Sequence, residues 1–253
     1  MNLRNLRRVK YNQRDYSLMG IVNLTDNSFL ERSRMAGKSI DEVIERVAGM
    51  AECGAEYIDV GACSTAPGVA QVSAEVELSR LEKVLPPLMD AFPHLKFSVD
   101  TYRPEVVAAL AKYGKAFIVN DVKTADLSSD MVALTASLGF EYIAMDSSSD
   151  PYSFFEVFAE RAAKAGLDSW ILDPGFGFGK SVEQNWEVLE KLPALRDFGR
   201  PVLAALSHKR MIFMPLGLTP ATCSLQSVQA ELRCVELGAD IIRTHDLNLH
   251  SHR

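Results

Sequence analysis

"WILDPGFGFGKSVEQNWEVLEKLPALRDFGRPVLAAL", residues 170–206, carries the repeating unit of the whole chain. A short apolar run, 170–173, ends in an aspartate and a glycine-rich turn. Ser181 then opens an amphipathic stretch, 181–192, as a cap hydroxyl with acid in the first turn. A second apolar run, 201–206, follows. This is a strand, a helix and a second strand.

The same alternation runs in both directions. Strand candidates lie at 17–22, 57–61, 95–99, 116–120, 141–145, 170–173, 201–206 and 240–244. Helix candidates lie near 39–53, 73–91, 103–113, 128–138, 152–165, 181–192 and 222–237. Ser39 and Ser73 cap their helices as Ser181 does, and Gly54, Gly114, Gly139, Gly166 and Gly238 suit the left-handed residue that ends one. The strands lack polar alternation, as parallel strands covered on both faces should. Eight strands and seven helices predict an α/β fold, a (β/α)8 TIM barrel formed by 1–253 as one domain. A doubly wound open sheet is the alternative. Only "NLHSHR" follows "RTHDL", so the eighth helix is expected to be short or missing, leaving a gap for a partner subunit or another segment.

With 253 residues, 47% hydrophobic and 24% charged, the chain fits a globular protein with a large core. The net charge of -6 and the lack of a basic patch with interleaved aromatics exclude a nucleic-acid surface. No apolar stretch reaches the ~20 residues of a membrane span. The basic start lacks the apolar segment of a signal peptide. Cys53, Cys63, Cys223 and Cys234 show no C-x-x-C spacing and read as reduced thiols. A cytoplasmic location is expected.

Barrel sites lie at the carboxyl ends of the strands. Those ends read "NLTDNSF" (23–29), "ACSTAPG" (62–68), "DT" (100–101), "ND" (120–121), "MDSSSD" (145–150), "DPGFGFGK" (173–180), "SHKRMIF" (207–213) and "RTHD" (243–246). Nearly every strand ends in a group that binds hydrogen or charge. Taken singly, Asp100 reads equally as a helix cap and "DPGFGFGK" as a turn, and Lys209 reads as a solvated lysine. Asp100, Asn120 and Asp173 come from three strands and can converge on a flat heterocycle. Lys209, Arg243 and His245 form a cation cluster where many barrels bind phosphate, which predicts an anionic ligand or leaving group.

These motifs, in this order and over nearly the whole chain, resemble the dihydropteroate synthase family. "MGIVNLTDNSF", "YIDVGACSTAPG", "FSVDTYRPEV", "FIVND", "WILDPGFGFGKSVEQNWEVL", "PVLAALSHKRMIF" and "IIRTHD" carry the resemblance. It implies a transferase of folate biosynthesis on a (β/α)8 barrel. In that reaction the amine of p-aminobenzoate displaces diphosphate from a 6-hydroxymethyl-dihydropterin diphosphate. By resemblance Asp100, Asn120, Met145, Asp173, Phe178 and Lys209 bind the pterin. Asn23, Thr65, Arg243 and His245 meet the diphosphate, with Asn23 beside Mg²⁺. Asp100, Asp173, Lys209, Arg243 and His245 are the implied catalytic set. The implied partners are the pterin diphosphate, an aromatic amine acceptor and, as in family members, a second copy in a homodimer.

The departures cluster in three loops. The family pattern N-x-T-P-D-S-F, followed by S-D-G-G, has Asp26, Asn27, Glu31, Arg32 and Ser33 at altered positions. The usual arginine of the second loop is Ala66. In the seventh motif His208 stands for Arg and Arg210 for Ser. The loop after the fifth strand, "MDSSSD", is short. A second reading therefore stays open: a pterin-binding paralogue that is silent or takes another acceptor. A methyltetrahydrofolate-type methyltransferase is a third, disfavoured by "SHKR" and "RTHD".

Overall fold

Eight parallel strands run in the order in which they occur along the chain, each hydrogen-bonded to the next. The computed structural model describes residues 9–11, 14–25, 35–64, 71–124 and 130–250. The strands are β2 (Arg14–Asn23), β3 (Ala55–Gly61), β4 (Lys96–Asp100), β5 (Ile118–Asp121), β6 (Glu141–Met145), β7 (Trp170–Asp173), β8 (Leu203–Ala204) and β9 (Ile241–Thr244). β2 pairs with both β3 and β9, and β9 with β8. A parallel bridge from Leu172 to Val202 joins β7 to the β8 segment and closes the ring. The TIM barrel read from the sequence is the fold, and the open sheet is excluded.

An added strand, β1 (Val9–Tyr11), pairs antiparallel with the start of β2. The helices are α1 (Ile40–Glu52), α2 (Ala74–Ala91), α3 (Pro104–Ala111), α4 (Met131–Leu138), α5 (Pro151–Ala165), α6 (Val182–Glu190), α7 (Leu192–Leu195), α8 (Arg210–Phe213), α9 (Ser224–Glu236) and α10 (Leu247–His250). Ser39, Ser73 and Ser181 cap α1, α2 and α6 as expected, Ser39 and Ser181 with full capping boxes. The expected glycine ends of α4 and α5 adopt the left-handed conformation at Gly139 and Gly166.

The strand period of two sorts the core into two layers. Leu18, Val22, Ile58, Val60, Val99, Val119, Tyr142, Ala144, Leu172, Ala204 and Ile242 face outward under the helices. Met19, Tyr57, Ile118, Ile143, Ile171, Leu203, Ala205 and Ile241 fill the barrel interior. Their volume makes the interior a packed floor. It also fixes what comes next, because the residue two further along each strand must point inward above that floor.

The expected shortness of the last helix is observed. α10 has four residues, and it is held by a buried chain of polar contacts. Tyr16 Oη lies 3.0 Å from His250 Nδ1, and His250 Nε2 lies 2.7 Å from Glu231 Oε2. Thr244 Oγ1 donates to the same carboxylate oxygen at 3.1 Å. Leu247 is buried with it, and β1 lies beside α9. Segments of the chain itself thus cover part of the gap that a full eighth helix would fill. Among the described residues no helix is long and apolar enough to cross a membrane.

Candidate active site

Two residues beyond the apolar floor stand Asp59 after Tyr57, Asn120 after Ile118, Met145 after Ile143, Asp173 after Ile171 and Arg243 after Ile241. Ser98 and Asp100 continue the pattern on β4. One periodicity therefore delivers polar groups from five strands to a single level at the carboxyl end of the barrel.

Asp59 is the hub of this level. Its Oδ2 accepts from Arg243 Nε at 2.8 Å and lies 2.6 Å from Arg243 Nη2. Its Oδ1 accepts from Asn120 Nδ2 at 3.2 Å and from the Ser98 hydroxyl. Asp59 was not among the residues expected from the strand ends, because it lies within a strand. The signal was present: a lone acid inside the apolar run 57–61. A fully buried carboxylate requires this number of donors.

Asp100 stands beside the hub, with Oδ2 3.5 Å from Arg243 Nη2. Its other oxygen, Oδ1, is buried with no hydrogen-bond partner among the described residues. Burial and the neighbouring Asp59 carboxylate push Asp100 up to about 7. Burial opposes the charge of Arg243, but Asp59 and Asp100 overcome it and hold the guanidinium above its ordinary value. The structure thus brings Arg243 together with Asp100 and, through Asp59, with Asn120. Arg243 Nη1 makes no hydrogen bond among the described residues.

Asp173, Lys209, Met145 and Phe178 gather on the other side. Asp173 Oδ1 accepts from the Gly175 amide at 2.8 Å, and burial pushes its carboxyl up against the pull of Lys209. Lys209 Nζ donates to the Phe176 carbonyl and sits 4.9 Å from the centre of the Phe178 ring. Burial pulls Lys209 down to about 8, with Asp173 acting in the opposite sense. Met145 is buried and borders Gly175.

The glycines of "DPGFGFGK" are there for space as well as turn geometry. A Cβ on Gly175 would fall 1.7 Å from the Asp146 carbonyl oxygen. A Cβ on Gly177, where φ is 82°, would fall 2.8 Å from Lys209 Cδ. Lys180 pins the turn by donating to the carbonyls of Asp146 and Gly175, each at 3.1 Å. The motif is a built loop around the Lys209 side chain, beyond a plain helix entrance.

At the rim, His245 Nδ1 lies 3.1 Å from Ser207 Oγ. Asn23 ends β2, and a Cβ on Gly61 would meet both Asn23 Oδ1 and Asp100 Oδ2 at 3.6 Å. Gly61 therefore leaves a cradle into which two oxygen donors point. That donor chemistry fits Mg²⁺ shared with a diphosphate. Among the described residues no cluster of three or more His, Cys, Asp or Glu could hold a metal on its own. Thr65, Ala66 and the altered first loop, 26–33, lie outside the described residues. Arg210 is exposed at the start of α8, with its Nε 3.2 Å from Met214 Sδ.

Acids, an amide and cations from separate strands thus gather at the carboxyl end of one barrel, where barrel enzymes place their sites. Residues 19–245 match a family model described as pterin binding enzyme. The chain is 34% identical over 248 residues to the dihydropteroate synthase of Escherichia coli strain K12, covering 91% of this chain and 86% of that protein. A structure of Xanthomonas albilineans dihydropteroate synthase with 4-aminobenzoic acid superposes with a TM-score of 0.83 at 32% identity. It covers 97% of this chain and 95% of that one. The same enzyme in complex with 7,8-dihydropteroate gives 0.79 at 32% identity, with the same coverage. The chain belongs to the dihydropteroate synthase family.

Proposed function

We propose that this chain condenses a 6-hydroxymethyl-dihydropterin diphosphate with p-aminobenzoate and releases diphosphate. The observation that carries this reading is the orphaned Oδ1 of Asp100. A buried carboxylate oxygen without a donor costs roughly 1–3 kcal/mol, and a heterocycle N–H would remove that cost. Asp100, Asn120 and Asp173 supply the acceptors and amide that match a pterin edge. Met145 and Phe178 supply its apolar walls, and Lys209 a donor.

In the reaction the amine lone pair attacks the methylene carbon. The C–O bond to diphosphate breaks as the C–N bond forms, and the amine proton is lost to water. The protein must steady positive charge on the pterin and negative charge on the leaving group. Asp100 and Asp173 serve the first need. Arg243 Nη1, His245, Thr65 and Asn23 serve the second. Asn23 is the residue that would hold Mg²⁺, which when bound would neutralise the departing diphosphate. A cytoplasmic homodimer built from one barrel domain per copy completes the proposal.

Calorimetry with the pterin diphosphate tests the binding half. Wild-type protein should bind, and Asp173→Asn should weaken binding by about tenfold or more. Absence of binding to wild type would overturn the reading. Binding with diphosphate release but no pteroate would favour a paralogue with an altered acceptor.

A further inference from the structure

We propose that His208 is the positioning residue for the His245 imidazole. The β8–β9 ladder pairs Leu203 with Ile241 and Ala204 with Ile242, then stops. Side chains continue the same register beyond it. Ser207 Oγ accepts from the His245 amide at 3.2 Å and meets His245 Nδ1 at 3.1 Å. One residue on, His208 Nε2 meets Asp246 Oδ2 at 2.6 Å. Each of these pairs is 38 residues apart, as is the pair from the Val202 amide to Asp240 Oδ2 at the other end of the ladder. Two dipeptides, Ser207-His208 and His245-Asp246, therefore extend a parallel strand pair where backbone pairing has ended.

His208 is fixed on its remaining sides. It is fully buried, its amide donates to Ser227 Oγ at 3.0 Å, and its Nδ1 meets the Pro220 carbonyl. That carbonyl can only accept, so Nδ1 carries a proton. The His208 ring stands edge-on to the His245 ring, with centroids 5.5 Å apart. Among the described residues His208 is the one non-glycine residue at positive φ, 56°. A side chain is disfavoured there unless surrounding contacts hold it. The backbone is bent so that the ring can reach Asp246 while the next residue, Lys209, turns into the pterin site. The two strand ends that carry Lys209 and His245 are thereby locked to each other.

The consequence for catalysis rests on the proposed diphosphate chemistry; the positional claim does not. A misplacement of about 1 Å in a catalytic constellation costs on the order of 10²-fold. The test uses His208→Asn, since Asn tolerates positive φ but cannot span to Asp246, and Asp246→Asn, which keeps the shape. In the ligand-free protein, the ring nitrogen resonances of His245 should shift in both variants. They are assigned among the 5 histidines with a His245→Gln control. Turnover should fall about 10- to 100-fold in kcat with little change in KM for p-aminobenzoate. In a His245→Ala background, His208→Asn should cost less than about twofold more. Unmoved His245 resonances in both variants, or the same fold-loss in both backgrounds, would overturn the proposal. If those resonances move while wild-type protein forms no pteroate, the functional reading falls and the positional claim stands.

Discussion

Arg243 and Asp59, 184 residues apart in the chain, meet inside the barrel through two nitrogens on one carboxylate oxygen, at 2.8 and 2.6 Å. The pair ties the last strand to the second strand of the barrel and sets the level at which Asp100 and Asn120 sit. Breaking a buried pair by removing one charge costs about 3–5 kcal/mol, because the other charge is left uncompensated. Asp59→Asn should therefore lower thermal stability, by about 2–4 °C per kcal/mol for a chain of this size. It should also weaken pterin binding at least tenfold. Differential scanning fluorimetry and calorimetry read the two effects.

Asp100 and Lys209 bracket a narrow pH window. In the proposed binding mode pterin N–H groups need Asp100 ionised, and burial beside Asp59 pushes it up to about 7. Lys209 must keep its proton, and it sits at about 8. The profile of kcat/KM for the pterin diphosphate should be a narrow bell with limbs near these values, which belong to the coupled site. Lys209→Arg should remove the alkaline limb while lowering activity. A flat profile from pH 6 to 9 would contradict the assignment.

Stability should follow the sign of the Asp100 shift. Its folded value is raised, so between the ordinary carboxylate range and about 7 the native state binds a proton that the unfolded chain lacks. Stability therefore falls as pH rises through that window. Asp100→Asn should flatten this dependence and abolish tight pterin binding. Chemical denaturation at pH 5 and pH 8 measures both slopes.

Gly177 makes room for Lys209. Gly177→Ala adds a methyl at a positive φ and against Lys209 Cδ. It should reduce pterin affinity about tenfold, with a small loss of stability. Affinity equal to wild type would show that the Lys209 stem can move aside without consequence.

His250 anchors the short α10 on Glu231 and Tyr16. His250→Ala leaves the buried Glu231 carboxylate with the Thr244 hydroxyl on Oε2 and, among the described residues, no partner on Oε1. The loss should be about 3 kcal/mol, seen as a lower melting temperature with pterin affinity unchanged at low temperature.

The barrel was legible because every one of its strands carries an apolar run and every long helix a periodic face. The site was half legible. Asp100, Asn120, Asp173 and Arg243 close or nearly close their strands, where a reader of barrels looks. Asp59 hides in mid-strand, and only the inward alternation after Tyr57 marks it. The short helices α8 and α10 have four residues each, too few for a period to show. The contact between His208 and Asp246 depends on register past a ladder's end, which no local pattern encodes. The expected gap over the last helix was read correctly as a short element. What covers it, Tyr16, Glu231 and His250, is a long-range arrangement that sequence spacing does not specify.

The measurement that bears most directly on the central claim is a coupled turnover assay with 6-hydroxymethyl-dihydropterin diphosphate, p-aminobenzoate and Mg²⁺. The expected result is pteroate and diphosphate formed one for one, with both lost in Asp173→Asn. Diphosphate release without pteroate, or no consumption of a pterin diphosphate that binds, would contradict it.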